Sequence, residues 1–126
     1  MKKVLVVDDA KVVRVSLGKI MQSLGFEVFD AEDGQQAVEM MEQHPDIELV
    51  MLDWNMPNMN GYEFLVQLRA QPAHVSSPAV IMVTTETGMN SMLKALAAGA
   101  DEYIMKPFDR DMVASKLDII DMAHSA

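Results

Sequence analysis

The chain of 126 residues has no cysteine, which excludes disulfide frameworks and thiolate metal sites and fits a reducing compartment. It also lacks a long hydrophobic run, since no stretch approaches the roughly 18 apolar residues that span a bilayer. The amino terminus "MKKVLVVDD" opens with two lysines, as a signal peptide does, but its apolar run stops at Val7, before Asp8 and Asp9. A cytoplasmic protein is expected. Positive charge is scarce: ten Lys and Arg stand against nineteen Asp and Glu, for a net charge of -9. A field of that sign repels phosphate backbones and anionic lipid, so neither nucleic acid nor a membrane is an expected partner. Gly-x-Ser-x-Gly, Walker A and Gly-x-Gly-x-x-Gly are all missing, which removes the usual cues for α/β hydrolases, P-loop ATPases and dinucleotide enzymes. The three histidines share no metal-ligand spacing.

Apolar runs of strand length are present, at "KVLVV", "FEVFDA", "IELVML", "AVIMVT" and "EYIM". Between them, apolar residues return every three or four positions, as in Val13, Leu17, Ile20, Met21 and Leu24, or in Met89, Met92, Leu93 and Leu96. Gly25 is placed to end the first helix and Asp109 to cap the last. Five β-α units of this length predict one α/β domain over residues 1–126, a doubly wound parallel sheet with helices on both faces and no appended effector domain. A chain of this size buries roughly two-thirds of its unfolded surface.

In such sheets the ligand cleft forms beyond the carboxyl ends of the strands. The polar residues at those ends are Asp8 and Asp9, then Asp53, then Thr84 and Thr85, then Lys106. Glu32 and Asp33 end the second strand beside Gly34, which reads as turn chemistry. Either Asp8 or Asp9 alone reads as a helix cap. Together with Asp53 they cannot be left unpartnered, because two carboxylates about 5 Å apart repel by ~3 kcal/mol at an effective dielectric near 20. The cluster calls for a cation, and ligation by oxygen alone suits Mg²⁺ or Mn²⁺. The strand "VMLD" therefore carries Asp53 to the rim as a nucleophile for a phosphoryl group, with Lys106 and the Thr84 hydroxyl facing the transferring oxygens. Repulsion within the cluster also predicts that Asp53→Asn or Asp8→Asn stabilises the metal-free protein.

"VVDD", "LDWNMPNMNG", "VTTE" and "IMKPF", in that order, resemble the motifs of response-regulator receiver domains, of the stand-alone chemotaxis type, over essentially the whole chain. The resemblance implies a flavodoxin-like fold with five strands in the order 2-1-3-4-5 and five helices. It implies that Asp8, Asp9, Asp53 and the backbone carbonyl of Asn55 hold Mg²⁺. Asp53 would take phosphate from a chemotaxis-type histidine kinase, with Thr84 as the switch hydroxyl, Tyr103 as the aromatic that turns inward and Lys106 as the phosphate-pairing cation. The Lys106-Pro107 peptide would be cis. Asn55 and Glu86 would set a short phosphate lifetime. Further partners would be a downstream flagellar switch protein and a phosphatase, met by a monomer. Ala10, Thr85 and Asn60 depart from common residues of the family, away from the phosphate chemistry.

Three other readings concern the same rim. A phosphate sink or phosphorelay receiver shares the chemistry and differs in partner. A Mg²⁺-dependent phosphohydrolase with an aspartyl-phosphate intermediate would need an acid two residues after the nucleophile, where this chain has Asn55. Flavin binding is opposed by the acidic rim, which would repel the flavin phosphate.

Overall fold

The computed structural model describes residues 1–85 and 88–120. Five strands, β1 (Lys2–Val7), β2 (Phe26–Ala31), β3 (Leu49–Leu52), β4 (Ala79–Thr84) and β5 (Glu102–Met105), pair in parallel in the order β2-β1-β3-β4-β5. Five helices lie between or after them: α1 (Lys11–Ser23), α2 (Gly34–Gln43), α3 (Gly61–Arg69), α4 (Met89–Ala97) and α5 (Arg110–Ile119), with a 3-10 turn at Pro72–His74.

Strand alternation divides the core into two layers. Leu5, Val7, Val50, Leu52, Val80 and Met82 pack with Ala37, Met41, Phe64, Leu65, Leu68 and Ala95 of α2, α3 and α4. Val4, Val6, Leu49, Met51, Ile81 and Val83 face the other way, onto Leu17 and Met21 of α1 and Val113 and Leu117 of α5. Both faces are covered, which is why β3 reads as an unbroken apolar run. Ile47 is buried but precedes β3, in a turn closed by its amide on the His44 carbonyl.

The helix ends follow their sequence signals. Gly25 has φ 93°, in the left-handed region that ends α1. Asp109 accepts the Met112 amide at 2.8 Å. Asn60 forms a reciprocal capping box with Glu63 at the start of α3, a role that Asn fills as well as Asp.

Two helix faces are set by packing rather than by apolar spacing alone. Met89, Leu93 and Leu96 of α4 are exposed, and the helix meets the sheet through Ala95, with Met92 packed against the core edge. Their spacing makes a stripe, but the small Ala95 on another side allows the closer approach to the sheet. Arg14, on the polar side of α1, has its guanidinium tucked under the sheet end, with the side chain only 10% exposed.

Candidate phosphoacceptor and metal site

All parallel strands end at the same rim, and β1 and β3 are neighbours there. Asp53 follows β3 directly, with its amide donating to the Val7 carbonyl (2.9 Å), while the Asp8 amide donates to Ala31 (3.1 Å). These extensions of the ladder bring the acids from two strands together. One carboxylate oxygen each from Asp8, Asp9 and Asp53 lies within 4.8 Å of the other two. Asp53 is 6% exposed and Asp8 2%, whereas Asp9 faces solvent.

Lys106, after β5, reaches across β4 into this cluster. Its Nζ stands 2.7 Å from Asp8 Oδ2 and 3.4 Å from Asp53 Oδ2. The Asp53 Oδ1 accepts the Trp54 amide at 2.8 Å, and the Thr84 hydroxyl also hydrogen-bonds Asp53. Burial pushes the Asp53 carboxyl above the usual aspartate range and the charge of Asp8 adds to it, against Lys106, Thr84 and the Trp54 amide. Burial works against the Lys106 ammonium, but the Asp8 hydrogen bond and the two carboxylate charges outweigh it and hold Lys106 above the usual lysine range.

The donor set fits a hard divalent cation. Octahedral ligands at about 2.1 Å from Mg²⁺ lie about 3.0 Å apart when adjacent, so the three carboxylates, within 4.8 Å of one another, would draw together by up to roughly 2 Å around the ion. No thiol or imidazole competes in the cluster, which suits Mg²⁺ or Mn²⁺ over zinc.

Asn55 lies exposed on the loop that leaves Asp53, and Tyr103 of β5 is 5% exposed, inside the core layer with Met82 and Ala95. The Lys106-Pro107 peptide is cis, as is Ser77-Pro78, which the sequence reading did not anticipate. Glu86 lies outside the described residues. Gly61 explains how the loop stays short: its amide donates to the Trp54 carbonyl (2.9 Å), and a Cβ there would come within 1.9 Å of the Asp53 carbonyl oxygen.

The model of the response regulator receiver domain matches residues 4–118. The chain belongs to that family. Among named relatives, the chemotaxis protein CheY1 of Helicobacter pylori is 38% identical over 119 residues, covering 94% of this chain and 95% of its own. A CheY homolog of Campylobacter jejuni is 38% identical over 117 residues, covering 92% and 89%. Of the solved structures, Vibrio cholerae CheY4 superposes with a TM-score of 0.88 at 32% identity, over 95% of this chain and 98% of that one. A CheY from Borrelia burgdorferi, in a complex with CheX, BeF3 and Mg+2, gives 0.87 at 32%, over 94% and 89%. The flavodoxin-like fold and its strand order are thus those of CheY structures. This receiver domain is CheY-like, part of a two-component response regulator, consistent with chemotaxis, and a signalling protein rather than a catalyst of a metabolic reaction. Receivers of this kind interact with histidine kinases and with switch or phosphatase proteins. Among the described residues, no helix is long and apolar enough to cross a membrane.

Three residues around the site escaped the sequence reading. Arg14 donates to the Asp8 carbonyl (2.8 Å) and pairs with Asp30 (3.2 Å) and Glu32 (3.7 Å). Asp33, read as turn chemistry, caps α2 through the Gln36 amide and also accepts the Asn58 side chain at 2.7 Å. The Pro-Asn pair marks a turn at Asn58, but nothing local points to a partner 25 residues away.

Proposed function

We propose that this receiver is a phosphorylation-controlled switch of the chemotaxis type. Asp53 accepts a phosphoryl group from a phosphohistidine of a partner kinase, in a Mg²⁺-dependent reaction, and the phosphorylated form binds a downstream switch protein. The observation that carries this reading is the buried Asp53 carboxylate at the end of β3, beside Asp8 and Asp9 and within 3.4 Å of Lys106.

A carboxylate oxygen of Asp53 attacks phosphorus, the bond from phosphorus to the donor imidazole nitrogen breaks, and its electron pair leaves with the imidazole. An aspartyl phosphate results. The cation held by Asp8, Asp9, Asp53 and the Asn55 carbonyl supplies positive charge to the transferring oxygens when bound. Lys106 exchanges its contact with Asp53 for a phosphoryl oxygen, and Thr84 turns its hydroxyl from Asp53 to another. Asn55 and Glu86, two residues after the acceptor and the switch Thr in sequence, set a short phosphate lifetime. The protein's only catalysis is of its own phosphorylation and dephosphorylation.

Output then depends on protein contact, from a monomeric receiver domain spanning residues 1–126 in the cytoplasm. Met89, Leu93 and Leu96 of α4 and Met112 and Ile119 of α5 are exposed, and Met112 lines a groove with Met92 of α4 and Tyr103 and Met105 of β5, a face suited to a flagellar switch protein or a phosphatase. Trp54 stacks on Tyr62 (centroids 5.5 Å apart), and Lys94 of α4 lies 4.4 Å over the Tyr62 ring. These contacts link the acceptor loop to α4, the helix whose arrangement phosphorylation shifts in this reading.

The test is to add Mg²⁺ and then acetyl phosphate while following Trp54 fluorescence, with intact mass for wild type and Asp53→Asn. A Mg²⁺-dependent quench and one added phosphoryl group, both requiring Asp53, are the expected result. An adduct that persists in Asp53→Asn, or none in wild type, refutes the reading.

A further inference from the structure

Asp33 is a buried carboxylate that takes no part in the chemistry above. Its Oδ1 accepts the Gln36 amide, and its Oδ2 accepts the side-chain amide of Asn58. Asn58 has φ 67°, the one positive φ outside glycine among the described residues. Across it, the Met59 amide donates to the Pro57 carbonyl at 2.7 Å, a γ-turn of the rare, strained, positive-φ kind. Strain of this sort persists where the surroundings over-determine it.

Here the surroundings are the first turn of α2. The Gly34 amide donates to the Met59 carbonyl at 2.9 Å, and a Cβ on Gly34 would come within 2.6 Å of that oxygen. Helix start and loop are therefore in backbone contact, possible only with glycine. At its other end the loop is held by the Gly61 amide on the Trp54 carbonyl. Asn55 lies between these anchors, three residues before Asn58. Of the fastenings named, the bond between Asp33 and Asn58 is the one made by two side chains, so it can be cut without altering the backbone.

We propose that the Asp33–Asn58 hydrogen bond is a latch that sets the divalent-cation affinity of the acid cluster, by fixing the loop that presents the Asn55 carbonyl. This rests on the reading of the cluster as a cation site. Asp33 and Asn58 act as positioning residues and lie outside the cluster.

Exchange of the two side chains tests it. Asp33→Asn keeps the α2 cap, since Asn caps as well as Asp, and keeps the pairing, because the Asn58 amide can rotate to offer its oxygen to the new amide. Asn58→Asp, tolerated at positive φ, sets carboxylate against carboxylate. The double exchange restores one donor and one acceptor with reversed polarity. Asn58→Gly removes the amide with no backbone cost. Mg²⁺ is titrated into each protein by Trp54 fluorescence, with the urea midpoint in EDTA recorded alongside. Asn58→Asp and Asn58→Gly are each expected to need about tenfold more Mg²⁺, and Asp33→Asn and the double exchange to stay within about twofold of wild type. Asn58→Asp and Asn58→Gly that bind like wild type, or a double exchange as weak as Asn58→Asp, overturn the latch while leaving the cation site standing. A wild type that does not respond to Mg²⁺ overturns both.

Discussion

Neutralising Asp53 should stabilise the metal-free protein, and the size of the effect follows from four charges. Asp8 and Asp9 each offer an oxygen within 4.8 Å of Asp53, which corresponds to a repulsion of about 3.5 kcal/mol per pair at an effective dielectric near 20. Lys106 at 3.4 Å returns about 5 kcal/mol on the same scale. The remaining repulsion, softened by water around the exposed Asp9, predicts that Asp53→Asn raises the unfolding free energy by about 1 to 2 kcal/mol. That is a gain of roughly 4 °C per kcal/mol in thermal midpoint. Asp8→Asn should give no comparable gain, because it removes the closest partner of Lys106, 2.7 Å away. Repulsion alone, as read from the sequence, treats the two substitutions alike; the placement of Lys106 separates them. The sign of the pH dependence follows from the raised Asp53 pKa. Its ionised form destabilises the fold, so the penalty is absent below the ordinary value of 3.8 and complete above the raised one. Urea unfolding in EDTA, followed by far-UV circular dichroism, should show a gap between Asp53→Asn and wild type at about pH 7 that narrows toward about pH 4. Equal or lower stability of Asp53→Asn at neutral pH would refute the reasoning.

Gly61→Ala should be damaging out of proportion to one methyl group, because the new Cβ meets the Asp53 backbone carbonyl at 1.9 Å. A loss of about 3 kcal/mol is expected by chemical denaturation, together with a weaker response to Mg²⁺ as the acceptor loop is displaced. The Asp33 carboxyl is held below the usual aspartate range, first by the Gln36 amide and then by Asn58. Its contribution is therefore complete above the ordinary value of 3.8 and is lost as pH falls through the lower folded value. Asp33→Ala should cost about 1 to 2 kcal/mol at neutral pH, a difference that equilibrium unfolding should show shrinking in strong acid.

Much of the fold is legible because its signals are local. "FEVFDA", "AVIMVT" and "EYIM" coincide with β2, β4 and β5, and the caps at Gly25 and Asp109 lie where the residue types place them. The two-layer division of the core is also implicit in the strand period of two. The orientation of α4 is not, because periodicity defines a stripe but not which side of it meets the sheet. The exposed Met89, Leu93 and Leu96 and the buried Ala95 are set by how closely that helix approaches the strands.

The same distinction holds at the site. Strand ends name Asp8, Asp9, Asp53, Thr84 and Lys106 as rim residues, since a parallel sheet delivers every strand's carboxyl end to one side. The chemistry of those side chains then points to a cation and a phosphoryl group. What only the tertiary structure decides are the pairings across sequence: Lys106 on Asp8 rather than chiefly on Asp53, Arg14 on the Asp8 carbonyl, and Asp33 on Asn58. Such partners lie on different elements, and their distances depend on sheet twist, helix approach and loop length. Residue type and spacing carry the local chemistry; only the packed chain brings charges that are 98 residues apart within hydrogen-bonding reach.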